Sequence, residues 1–325
     1  MKTEINTSQH SAIEPDSLQA WVLAVRPRTL SASAAPVIMA SALAYATGSF
    51  RVLPMVMCLA FALLAQMASN LANDYFDYKS GSDDLSKRIG PARAVASGWV
   101  SPSRMKAGLG IVVAAACASG LGLVFYGGWQ MILVGLACVV ALFAYSAGPF
   151  PASRHGLGDV MVLVFYGIVP VFFTFYLVSG FNPLGSGLML AEVALGALAV
   201  GLASVNILVL NNYRDYDNDK AEGKKTTVVL FGRKAAVVMY LLNSVFAAVC
   251  AALTVGLVGG WSCVSLCLMA LPLCSLFLMV KTLRGIVKAG FGPVLNAFLG
   301  KTSACLLMLV VLSSVAIVLV KNLSV

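Results

Sequence analysis

Two stretches of this chain concentrate side chains that bind hard cations and anions. NLANDYFDYKSGSDD, residues 70–84, carries Asp74, Asp77, Asp83 and Asp84, and NNYRDYDNDKAEGKKT, residues 211–226, carries Asp215, Asp217, Asp219 and Glu222. The two share a pattern, Asn70-x-x-x-Asp74-x-x-Asp77 and Asn211-x-x-x-Asp215-x-x-x-Asp219, and spacings of three and four put each set on one helix face. Both run into basic, glycine-containing loops. Clustered carboxylates favour Mg²⁺, a hard cation that takes oxygen ligands and commonly joins one or two carboxylates to phosphate groups. Neighbouring Lys and Arg side chains then hold the phosphate oxygens the metal leaves. Acid, metal, phosphate and base together describe a diphosphate site. A calcium loop is excluded for DYDNDKAEGKKT, because its sixth position is Lys220 instead of glycine and its twelfth is Thr226 instead of glutamate.

The elements that must position these acids are membrane helices. The chain is 60% hydrophobic and 11% charged, with a mean hydropathy of +0.90, which describes a polytopic all-α membrane protein and not a water-soluble enzyme. Apolar runs at 33–49, 53–73, 107–126, 129–147, 159–179, 187–212, 235–257, 261–280 and 302–320 are each near the ~20 residues of a span, so about nine transmembrane helices in one bundle are expected. Residues 1–20 read as a polar tail without a secretory signal, and residues 21–325 as one transmembrane domain. Within it, SLQAWVLAVRPRTL reads as an interfacial lead-in with Trp21 as anchor and Arg26 and Arg28 at the membrane surface.

Of the 22 Lys and Arg, only Arg51 and Lys321 fall outside the set formed by the N-terminus and every second loop. By the positive-inside rule this places the N-terminus and the acidic motifs in the cytoplasm and the C-terminus outside. The net charge of +9 is therefore topological and calls for no nucleic-acid partner. The eight cysteines lie in apolar runs and read as buried spacers; with only His10 and His155, a histidine-ligated metal is not expected. Four spans separate the acidic motifs, so both emerge on the same side and can face one cavity. The pattern is an internal duplication in parallel orientation, two pseudo-repeats each carrying an Asp-rich motif.

At these residues the chain resembles the UbiA superfamily of intramembrane prenyltransferases. RPRTL at 26–30, NDYFDYKSGSD at 73–83, GPARAV at 90–95, YSAGP at 145–149, HGLGD at 155–159 and NNYRD at 211–215 are similar, more narrowly, to its 1,4-dihydroxy-2-naphthoate polyprenyltransferase branch. Gly81, the delayed acid Asp83 and RIGPARAV set it apart from the 4-hydroxybenzoate and haem O branches; TTVVLFG after Lys225 departs from the family and leaves that segment's role open. The resemblance implies Mg²⁺-dependent transfer of a polyprenyl group from an allylic diphosphate to the naphthoate with loss of CO₂, in a bacterial cytoplasmic membrane. It further implies Asp74 and Asp77 on one Mg²⁺ with Asn70 and Asn73 beside them, Asp215 and Asp219 on a second with Asn211, and Asp83 as a further ligand or base. Lys225, Arg88 and Arg93 become the diphosphate contacts. Tyr145 would offer its ring face to an allyl cation, and Arg154, His155 and Asp159 would meet the aromatic acceptor. Two other readings stand beside this one: a family member using 4-hydroxybenzoate or a phytyl-type donor, and a transporter of phosphorylated metabolites, against which the parallel repeat and uncharged external loops count.

Overall fold

The computed structural model describes residues 13–81 and 89–323, and among these the regular structure is entirely helical. Eight helices are long and apolar enough to cross a membrane, and a shorter ninth lies between them. We number them α1 (Leu18–Ala46), α2 (Val52–Lys79), α3 (Pro102–Gly127), α4 (Gln130–Ser146), α5 (Gly158–Ser179), α6 (Gly187–Ala221), α7 (Thr227–Val258), α8 (Cys263–Ala289) and α9 (Pro293–Leu323). The expected count of about nine spans therefore holds, although α4 at 17 residues is marginal for the ~20 that a span needs.

Consecutive helices alternate direction, which collects the loops at two ends. At one end the backbone amide of Arg51 donates to Val178 O (2.9 Å) and Ser49 Oγ donates to Ser179 O (2.7 Å). At the other, Lys225 N donates to Arg154 O (2.9 Å) and Asn296 Nδ2 donates to Ile89 O (3.1 Å). Both acidic motifs lie at this second end, on helices that run past the apolar stretch: α2 continues to Lys79 and α6 to Ala221. The helix following each motif is capped by a hydroxyl, Ser101 accepting from Arg104 N and Thr226 accepting from Val229 N, which supplies an otherwise unpaired first-turn amide with a partner.

Lipid replaces water around such a bundle, so small residues, and not large apolar ones, mark the interior. Ala35, Ala40, Ala197, Ala247 and Ala251 are fully buried among Met39, Phe175, Leu306 and Leu309. Gly167 and Gly201 bring α5 and α6 together; a Cβ at 167 would lie 2.6 Å from the Gly201 Cα. Large side chains such as Phe125, Leu133 and Phe277 point outward. The cysteines follow this inversion. Cys58 and Cys305 are buried, but Cys117, Cys263, Cys267 and Cys274 are exposed on the bundle surface, because an apolar run does not say which face meets protein.

The lead-in is helical. It is the first part of α1, a helix over Leu18–Val25 with Ala20 and Ala24 buried. Trp21 packs on α3, where a Cβ at Gly108 would come within 2.5 Å of its ring. The helix breaks at Arg26, whose φ of +56° is left-handed, and Pro27 follows, lacking the amide that would continue the ladder.

The basic bias makes topology testable. In a cysteine-free background, Glu222→Cys is expected to react with a membrane-impermeant thiol reagent only when the cytoplasmic face is opened. Labelling from outside intact cells would contradict the arrangement.

Candidate active site

A cavity of about 320 Å³ runs through the half of the bundle formed by α1 to α6. Its deep walls are apolar, including Val37, Leu123, Met131, Phe173 and Leu177, while Arg26, Asn70, Asn73, Tyr145 and Asn211 line its polar end. A second, polar hollow opens at that end between Asp77, Lys79, Arg154, His155 and Lys225. α2 and α6 face each other across the first cavity, each contributing its asparagine.

Tyr145, in the last turn of α4, lines the polar end of the cavity with Asn73 and Asn211. Asp77 and the acids of the second motif each have a cation. Asp77 accepts from Arg93 at 2.5 Å, Asp219 from Lys224 at 2.8 Å, and Asp217 from Arg233 at 2.7 Å. Arg214 grips Asp215 with Nε and Nη2 (2.8 and 2.6 Å) and donates from Nη1 to Asn296 (2.8 Å). Lys224 also reaches Glu222 at 3.2 Å. Burial works to lower the Lys224 pKa, but Asp219 and Glu222 outweigh it and hold the ammonium above the ordinary lysine range.

Asp74 is placed differently from Asp77. It is buried at 1% exposure, and its two oxygens accept the amides of Ala94 (2.8 Å) and Val95 (3.0 Å). Its carboxylate thus anchors the segment that brings Arg93 to Asp77. Asn70 likewise turns away from the acids: its amide donates to Val25 O (2.7 Å) and Thr29 Oγ1 (2.9 Å), holding the α1 break against α2. Asn73 does face the cavity, and its Oδ1 is buried without a hydrogen-bond partner.

Lys225 is exposed and Arg154 half-buried; both line the polar hollow, with Arg154 4.0 Å from Glu222. His155 Nδ1 lies 2.9 Å from Pro151 O, and its ring meets Phe150 edge-on. Asp159 sits in the first turn of α5. Asp83 and Arg88 lie outside the described residues, so the structure does not place them.

Three cavity residues were not assigned to the site from the sequence. Arg26 reaches the cavity's polar end because the helix breaks there. Gln66 and Tyr166 form its middle: Gln66 Oε1 accepts from Ser33 (3.1 Å) and from the Tyr166 hydroxyl. Tyr166 lies in a π-helical turn, Val164–Ile168, a distortion often found at functional sites. For Arg26 the RPRTL match was a usable signal; for Gln66 and Tyr166, mid-span polar residues were the only one.

The donor set suits Mg²⁺. Asp77, Asp215 and Asp219 offer hard carboxylate oxygens and Asn73 an unpartnered amide oxygen at the cavity's polar end, but among the described residues no three of His, Cys, Asp or Glu stand close enough together to form a metal cluster.

A greasy cavity crowned by paired acids and bases suits a substrate with an apolar tail and an anionic head, and the class this defines is the intramembrane prenyltransferases. Residues 33–288 match the model of the UbiA prenyltransferase family, and the chain belongs to that family. It is similar to 1,4-dihydroxy-2-naphthoate octaprenyltransferase of Escherichia coli (strain K12), 39% identical over 223 residues that cover 66% of this chain and 69% of that protein. The enzyme of the same name from Mycobacterium leprae (strain TN) is 31% identical over 286 residues, 88% of this chain and 92% of that one. In fold the chain is similar to a UbiA homolog from Archaeoglobus fulgidus bound to DMAPP and Mg²⁺, with a TM-score of 0.55 at 17% identity, covering 92% of this chain and 98% of that chain.

Proposed function

We propose that the protein transfers a polyprenyl group from an allylic diphosphate to 1,4-dihydroxy-2-naphthoate, with loss of CO₂, as a step of menaquinone biosynthesis in the cytoplasmic membrane. The observation that carries this reading is an apolar cavity whose polar end is lined by Arg26, Asn73, Tyr145 and Asn211, beside a hollow lined by Asp77, Lys79, Arg154 and Lys225. The naphthoate acceptor rests on the two octaprenyltransferases above.

The diphosphate head sits at the cytoplasmic mouth and the prenyl chain lies along the apolar wall. Asp77, Asp215 and Asp219, with Asn73, are the groups that would hold Mg²⁺; Asp74 supports them from behind through Ala94 and Val95. Bound there, Mg²⁺ would neutralise charge that builds on the leaving diphosphate. Arg93, Lys224, Lys225 and Arg26 supply fixed positive charge at the same place. Preset charge of this kind stabilises a leaving anion more than its ground state. The Tyr145 ring offers its face to the allyl cation left in the cavity. Arg154 and His155, in the polar hollow, are the proposed contacts of the acceptor's carboxylate and hydroxyl, with Asp159 nearby. The excluded nonpolar walls keep water from capturing the cation.

Purified protein in detergent, given a polyprenyl diphosphate and 1,4-dihydroxy-2-naphthoate, is expected to release diphosphate only when Mg²⁺ is present, to stop on addition of EDTA, and to resume when Mg²⁺ is restored. Acceptor-dependent release with 4-hydroxybenzoate alone would reassign the acceptor; no release with any acceptor would remove the enzymatic reading.

A further inference from the structure

α8 has two distinct faces. Pro272, Ser275, Met279, Thr282, Leu283 and Ile286 are buried and pack toward α7 and α9. The outer face carries exposed Leu266 and Phe277 and then, in the last three turns, exposed Lys281, Arg284 and Lys288. Spacings of three, four and seven hold these cations within about 60° of one another around the helix. Among the described residues none of the three belongs to an ion pair.

α9 closes one side of this face. Gly285 lies about 40° beyond Lys281 on the side toward α9, and a Cβ there would come within 2.6 Å of the Phe298 ring, so the helices approach closely only because the residue is glycine. The Lys301 ammonium sits 4.5 Å from the centre of that ring and is exposed. Four exposed cations therefore lie on the surface around the Gly285–Phe298 contact. Its level is the cytoplasmic boundary, because Asn296, less than two turns before Lys301, bonds Ile89 and Arg214 beside the second motif.

We propose that this basic surface binds the phosphate of an anionic phospholipid from the cytoplasmic leaflet. The cations continue the apolar stripe that faces the acyl chains, so a ligand that reaches them from the membrane lays its tail on Phe277 while its headgroup meets Lys281, Arg284, Lys288 and Lys301. A soluble anion uses only the second half of that surface. Basic side chains at the headgroup level attract anionic lipid by about 1 kcal/mol each, close to fivefold.

The test uses the full chain in nanodiscs of mixed phosphatidylcholine and phosphatidylglycerol, followed by native mass spectrometry of the lipid retained in detergent. The protein is expected to keep phosphatidylglycerol in preference to phosphatidylcholine. K281Q/R284Q/K288Q is expected to reduce that retention about 10²-fold, and the charge-preserving K281R/K288R to retain it. Should the triple variant fail to insert, Lys288→Gln alone, in the last turn, is expected to reduce retention about fivefold. Equal retention of both lipids by the unchanged protein, unchanged retention by whichever neutral variant inserts, or displacement of the lipid by equimolar inorganic phosphate would overturn the proposal.

Discussion

Asp77→Asn and Asp219→Asn are each expected to lower turnover by about 10²-fold or more, roughly 2.7 kcal/mol of transition-state stabilisation, while the protein still inserts and melts near its normal temperature. The amide keeps the shape of the carboxylate and removes the charge that would hold Mg²⁺. Structure survives because the cations left behind keep other partners: Lys224 retains Glu222 at 3.2 Å, and Asp77 is not the sole partner of Arg93. Asp215 is a less clean probe, since its partner Arg214 is only 4% exposed and a buried cation that loses its carboxylate destabilises the fold. Turnover measured beside thermal melting separates the cases. A well-folded Asp219→Asn protein with near-normal turnover would take that residue out of the site.

Asp74→Ala is expected to fail differently. Two buried amides, Ala94 N and Val95 N, lose a charged acceptor, and hydrogen bonds to charged groups contribute about 1.5–3 kcal/mol each. A loss of about 3–5 kcal/mol, confined to the segment those amides hold, releases it locally. Arg93 is then no longer kept at 9% exposure. Trypsin cleavage after Arg93 is therefore expected to become rapid in Asp74→Ala and to stay slow in Asp77→Asn, with turnover falling in both. Continued protection of Arg93 in the Asp74 variant would show that the two hydrogen bonds do not hold the segment.

The contrast between these aspartates shows what the sequence could and could not carry. Spacing showed that Asp74 and Asp77 share a helix face and that the second motif has a matching one, and this is local information. That the carboxylate of Asp74 meets amides twenty residues further on is a through-space contact, which no periodicity encodes. Asn70 is a similar case: its neighbours in sequence suggested the acids, and its partners are Val25 and Thr29 across the α1 break. The spans were legible because apolar length is imposed by the bilayer. Which side of each span faces inward was not, because lipid and protein interior are equally apolar, and Cys263, Cys267 and Cys274 are exposed for that reason. Arg26 was visible as a charge at a membrane boundary; only its left-handed backbone at the helix break turns it toward the cavity.

The acceptor chemistry gives the most direct test of the account. The ring carbon that bears the carboxylate in 1,4-dihydroxy-2-naphthoate is activated by the neighbouring hydroxyl, so attack on the allyl cation there leaves a quaternary centre. That centre regains aromaticity by losing CO₂, with the hydroxyl protons handled by a nearby acid or base. Supplied with a polyprenyl diphosphate, Mg²⁺ and acceptor labelled in its carboxyl carbon, the purified protein is expected to release one labelled CO₂ for each diphosphate. Label retained in the prenylated ring, or diphosphate released without acceptor-derived CO₂, would contradict the naphthoate transfer proposed for this site.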